Sequence, residues 1–198
     1  MLEIFIAIIG LVQGVLAMLN KRINWIVYAF QMILLVIFSY HAKLYGDMVH
    51  NSIYFFICLI SFWMWSKDGI ATKITRLNVI QISIIATALV IAIFIVGRIL
   101  TNYDDPLPYI DATTTLTMFV ALILMSFHKL EAWIIWFIND IAFMIQYLML
   151  PDQAIYLFIL NMIWSVLAVV SFFGWRKLYR YELNVRTNDL ELSGRNCK

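Results

Sequence analysis

The chain has 198 residues, of which 64% are hydrophobic and 13% charged, with a mean hydropathy of +0.88 and a net charge of +2. A soluble domain needs far more polar exterior than that, and repeated apolar runs of about 18 residues or more can each span a hydrocarbon core as a helix. A transmembrane barrel is excluded because these runs are apolar on both faces and do not alternate with period two.

The first run, residues 2–19, has no basic residue before it and no small-x-small cleavage site before Lys21-Arg22. It is therefore read as a retained helix and not as a signal peptide. The following runs predict helices over 24–42, 48–66, 77–100, 112–128, 131–149 and 153–175. Two connections are longer, Lys67–Arg76 and Thr101–Asp111, the second carrying Pro106 and Pro108. Asp111-Ala-Thr-Thr-Thr115 reads as a helix start whose side chains cap orphan N–H groups. The polar stretch after Trp175 reads as a frayed cytoplasmic extension. The fold class expected is an all-α integral membrane protein with seven transmembrane helices.

With seven spans, alternate connections share one side of the bilayer. Lys21, Arg22, Lys67, Lys73, Arg76, Lys129, Arg176, Lys177, Arg180, Arg186, Arg195 and Lys198 then fall on one side, leaving only Lys43 and Arg98 on the other. The positive-inside rule places the N-terminus outside and the C-terminus in the cytoplasm, with the Asp104-Asp105 loop outside.

The helices repeat. Trp25-x-x-Tyr28-x-x-Gln31 aligns with Trp133-x-x-Trp136-x-x-Asn139, and Asn51, Tyr54 and Trp65 align with Asn161, Trp164 and Trp175 at equal spacing. Residues 1–66 form a first three-helix repeat and 111–178 a second; 67–110 hold a linker helix with its loops, and 179–198 a cytoplasmic tail. A single linking helix makes the repeat parallel, a 3+1+3 plan, and such repeats place substrate near the midplane at their interface. That organisation belongs to a small transporter.

Asp140 falls near the middle of the sixth predicted helix, where a charge costs at least about 2.5–3.5 kcal/mol. Such a residue is a substrate or ion ligand, a proton relay, or a buried partner joining two helices. No basic residue lies at matching depth in another helix, which argues against an intramembrane ion pair. At about 100° per residue, Trp133, Trp136 and Asp140 share one narrow face with Asn139 beside it. Two indoles beside a carboxylate suit a flat heteroaromatic ligand; tryptophans anchored at the membrane interface are the alternative. Gln31, Asn51, Asn139 and Asn161 are amides in apolar helices at repeat-related positions, fit either for a shared polar cavity or for helix–helix bonding.

His41, His50 and His128 lack metal-ligand spacing. There is no Walker loop, dinucleotide fingerprint or hydrolase elbow, so neither ATP-driven pumping nor a cofactor is expected, and the basic residues that sort by topology give no basis for nucleic-acid binding. An intramembrane enzyme using Asp140 would need a second catalytic group at that depth, and none is evident. A binding subunit or receptor that hands its ligand to a partner is a third reading. The apolar exterior leaves self-association into a homo-oligomer open.

The segment from Asn24-Trp25 through Ala42-Lys43-Leu44-Tyr45-Gly46-Asp47 to Trp63-Met64-Trp65 resembles the first half of the Pnu-type (PnuC-like) vitamin transporters. The segment from Asp111-Ala-Thr-Thr-Thr115 through Lys129-Leu-Glu131-Ala-Trp133-Ile-Ile-Trp136 to Gly174-Trp175-Arg176 resembles their second half. The resemblance implies a bacterial inner-membrane protein with a fold similar in plan to the sugar-transporting SWEET proteins. It implies facilitated import of nicotinamide riboside or, in related branches, of thiamine, riboflavin or deoxynucleosides, with a cytoplasmic kinase trapping the product. By position, the resemblance implies that Trp133 and Trp136 flank the substrate, with Asn139 and Asp140 as polar neighbours; the repeat, not the resemblance, adds Trp25, Tyr28, Gln31, Asn51 and Asn161 as expected site residues. Asn51 and Leu122 stand where nicotinamide riboside members typically carry Gln, so the resemblance leaves the vitamin open.

Overall fold

The computed structural model describes residues 2–41, 45–67, 73–103, 106–149 and 155–196. Among them are seven α-helices: α1 (Leu2–Met18), α2 (Asn24–His41), α3 (Tyr45–Lys67), α4 (Val79–Leu100), α5 (Pro108–Ser126), α6 (Ala132–Met149) and α7 (Ile155–Asn196). A single 3-10 turn, Thr101–Tyr103, follows α4. Among the described residues, four stretches are long and apolar enough to cross a membrane, namely Val79–Tyr103, Pro108–Ser126, Ala132–Met149 and Phe158–Val185. Phe5–Met18 and Asn24–Phe38 are apolar but shorter. The Lys43 position and the Asp104-Asp105 pair lie outside the described residues.

The chain divides into two compact units, Met1–Thr72 and Lys73–Lys198. In the first, α2 packs against both α1 and α3; in the second, α6 packs against both α5 and α7, and α4 lies against α5. Val79, Ile80, Val90 and Phe94 of α4 are each more than 60% exposed. An apolar face that open is what a lipid-facing helix presents and what a soluble surface avoids.

Three boundaries differ from the sequence reading. α3 begins at Tyr45, which takes Tyr45-Gly46-Asp47 into the helix. α5 begins at Pro108, where the missing N–H of proline is one of the orphans and its fixed φ suits a first helical residue. Asp111 and the threonines therefore lie inside the helix and do not cap it; Leu107 is the cap residue, without a side-chain bond. The hydroxyls of Thr113, Thr114 and Thr117 bond back to the carbonyls of Tyr109, Asp111 and Thr113, at 2.6, 3.0 and 2.6 Å. Thirdly, α7 runs on to Asn196, and the polar tail is helical instead of frayed. That stretch contains no proline and is rich in Leu and Arg, which hold helix well even without an apolar face.

The α1–α2 and α5–α6 turns are built alike. Asn20 and His128 both sit at φ 52°, in the left-handed region. Lys21 N–H donates to Leu16 O and Asn20 N–H to Ala17 O, while Lys129 N–H donates to Leu124 O and His128 N–H to Met125 O. These paired bonds form a Schellman termination, in which the left-handed residue lets the last carbonyls find donors. Asn and His are among the non-glycine residues that adopt that conformation most readily.

Each unit then buries an equivalent tryptophan pair edge to face, Trp25 with Trp65 and Trp133 with Trp175. Ser61 and Ser171 are both fully buried on the corresponding faces of α3 and α7.

Candidate functional site

The entry to α6 is fixed from outside the helix. Thr75 N–H donates to His128 O at 2.9 Å and Leu130 N–H to Thr75 O at 3.0 Å, a short parallel bridge between the segment before α4 and the α5–α6 turn. Glu131, 7% exposed, accepts from Leu77 N–H at 3.0 Å through one carboxylate oxygen. Its other oxygen takes Arg76 Nε at 3.2 Å. A buried carboxylate is tolerated where both oxygens are satisfied this way. His128 stacks its ring on Trp175, with centroids 6.3 Å apart, and burial pushes its pKa from 6.5 down to about 4.

Two residues beyond Glu131, the face predicted from the sequence begins. Trp133 and Asp140 are each 6% exposed, and Trp136 between them is half-buried. Seven residues of helix put Trp133 and Asp140 about 10 Å apart along the axis and within about 20° of each other around it. The indole N–H of Trp133 has no acceptor among the described residues. The Asp140 carboxyl likewise has no hydrogen-bond or ion-pair partner among them. Spaced along this face are two indoles, a buried donor and a buried acid, groups that suit a flat polar molecule.

Asn139 is turned the other way. It is 1% exposed, and its side-chain Nδ2 donates to Thr114 O at 2.7 Å and to Thr117 Oγ1 at 2.9 Å. Both amide hydrogens are thus consumed by α5, and only Oδ1 is left to accept.

Of the remaining sequence-predicted residues, Trp25, Tyr28 and Gln31 lie on α2 and Asn51 on α3 of the first unit, while Asn161 lies on α7 of the second. Trp25 is fully buried and Tyr28 8% exposed. Gln31 donates to Ile6 O of α1 at 3.4 Å, a long bond. Asn51 and Asn161 are half-buried. In the repeat alignment Asp140 corresponds to Met32, so the acid belongs to the second unit alone. Leu122 is fully buried on α5. No group of three metal-ligating side chains occurs among the described residues.

Sequence reasoning missed Thr114, Thr117 and Glu131. The 111–115 cap motif takes in Thr114 but not Thr117, and in the sequence Arg76 stands out only as a topology charge. A threonine pair three apart inside an apolar helix was the available signal, because buried hydroxyls need partners.

The profile of the nicotinamide mononucleotide transporter family matches residues 1–177. The chain belongs to that family. A curated relative, the nicotinamide riboside transporter PnuC of Neisseria mucosa, is 23% identical over 193 residues, covering 89% of this chain and 73% of the relative. Among solved structures, the crystal structure of the vitamin B3 transporter PnuC superposes with a TM-score of 0.69 at 22% identity, over 89% of this chain and 83% of that one. A likeness at that identity establishes the shared fold, and the transporter family's profile spans both tryptophan pairs and Asp140.

Proposed function

We propose that the chain is a membrane transporter that imports nicotinamide riboside across a bacterial inner membrane by facilitated diffusion. The observation carrying this reading is the α6 face, a buried acid in line with two indoles, in a member of a transporter family whose relative in Neisseria mucosa moves nicotinamide riboside. The nicotinamide ring of the riboside is a flat pyridinium cation. Indole faces attract such a ring by about 0.5–2 kcal/mol each, and a nearby carboxylate balances its charge.

The substrate site includes Trp133, Trp136 and Asp140, with Asn139 beside them and Trp25, Tyr28, Gln31, Asn51 and Asn161 at repeat-related positions. The plan is seven spans in a 3+1+3 parallel repeat, with repeats over 1–66 and 111–178. It is supported by the matching Schellman turns and the matching tryptophan pairs. Twelve of the 14 Lys and Arg on one side support an external N-terminus and a cytoplasmic C-terminus. A diffusive importer accumulates substrate only if it is trapped inside, the part that functional coupling to a cytoplasmic kinase plays in this reading.

The test is flux in liposomes containing this chain alone. Labelled nicotinamide riboside should equilibrate without ATP or an ion gradient, and Asp140→Asn should slow it. Failure of the riboside to bind or cross would end the reading. Thiamine is the second reading, favoured by the same face because its thiazolium is also a cationic ring; saturable thiamine flux with no riboside flux would select it.

A further inference from the structure

Asn139 adjoins the face just assigned to substrate but is turned toward α5, and its geometry suits a different task. Both Nδ2 hydrogens are engaged, one with the Thr114 carbonyl at 2.7 Å and one with the Thr117 hydroxyl at 2.9 Å. All three residues are at most 2% exposed, so the bonds are shielded from water. Thr117 passes its own hydrogen to Thr113 O at 2.6 Å, which fixes its oxygen as the acceptor for Asn139. A planar amide held by two bonds to a neighbouring helix has one orientation.

We infer that Asn139 is a positioning residue, which locks the roll of α6 against α5 and thereby aims the adjacent Asp140 carboxyl at the substrate. The inference rests on the reading of α6 as the substrate-facing helix. Two contacts set the roll. Glu131 holds the start of α6 to Leu77 and Arg76, and Asn139 holds it two turns later to α5. Asp140 follows Asn139 immediately, about 100° round the helix, so a clamp at one fixes the azimuth of the other. No described side chain bonds the Asp140 carboxyl itself. Its direction is therefore inherited from the backbone, and the backbone's roll is set by the clamp. The bond to Thr117 is the sensitive element, because the Thr114 carbonyl survives any substitution at Thr114.

The experiment compares Thr117→Val, which keeps the shape and removes the acceptor, with Thr117→Ser, which keeps the acceptor. The first readout is the infrared carboxyl band of Asp140 in the ligand-free protein, assigned by its loss in Asp140→Asn. The second is nicotinamide riboside affinity by calorimetry. Thr117→Val should move the band and weaken binding about tenfold, the loss of one hydrogen bond's worth of alignment. Thr117→Ser should leave both as in the wild type. In an Asp140→Asn background the Thr117→Val effect on affinity should shrink to under about twofold, since the clamp acts through the acid.

An unmoved band in folded Thr117→Val overturns the inference, and so does an equal affinity loss in both backgrounds. If the wild type binds no riboside, the transport reading fails separately while the band still decides the clamp. A loss of melting temperature without a band shift assigns Asn139 to packing alone and overturns the inference too.

Discussion

Trp133 meets Trp175 edge to face across the α6–α7 contact, with ring centroids 5.5 Å apart and planes at 84°. Trp25 and Trp65 repeat that arrangement between α2 and α3, at 5.4 Å and 86°. Trp175 is fully buried and Trp65 is 3% exposed, so each indole fills space that nothing smaller reaches.

Trp175→Ala and Trp65→Ala should each destabilise the fold by about 3–5 kcal/mol, through lost burial and the cavity left behind. Trp63, 57% exposed on the same helix as Trp65, provides the contrast. Its replacement by alanine should leave the unfolding midpoint in detergent nearly unchanged. Equal effects at Trp63 and Trp65 would contradict the packing described.

Glu131 serves two donors from the segment before α4, and the donors differ in worth. Arg76 is 53% exposed at its side chain, so Arg76→Ala should cost no more than about 1 kcal/mol. Glu131→Ala also leaves the Leu77 N–H without its acceptor and should cost about 1–3 kcal/mol. Thermal unfolding of the two variants side by side checks the order, and exchange protection at the Leu77 amide checks the cause.

His128 should make the protein acid-sensitive. Its pKa in the fold, about 4, lies below the ordinary 6.5 because burial disfavours the charged ring. Above pH 6.5 neither state binds the proton and the residue is neutral in its effect. Between 6.5 and 4 the unfolded chain is protonated and the fold is not, so stability falls as pH falls through that window. His128→Asn keeps a residue that accepts the left-handed backbone, as Asn20 does at φ 52°, and should flatten the melting-temperature profile between pH 6.5 and 4.

Gly97 of α4 lies against Tyr109 of α5, and a Cβ there would run into the Tyr109 ring. Gly97→Val should push the helices apart at that end and cost about 1–3 kcal/mol by overpacking. Tyr109→Ala in the same chain should recover most of the loss, since it removes the obstructing ring. A double-mutant cycle on melting temperatures reads the recovery directly.

Apolar runs of helix length, with basic residues gathered near their ends, were enough to read the seven helices of the described residues, and the equal tryptophan spacing matches the two edge-to-face pairs. Those features are one-dimensional: bilayer thickness sets run length, and helical pitch sets which residues share a face. The Trp133–Trp136–Asp140 face was legible for the same reason. What Asn139 bonds was not, because its partners Thr114 and Thr117 lie 25 and 22 residues away on another helix. The Glu131 pairing with Arg76 and Leu77 spans more than fifty residues and was equally hidden. A sequence records which groups need partners; only packing of one helix on another decides which partner each finds, because that depends on roll and depth that no local pattern encodes.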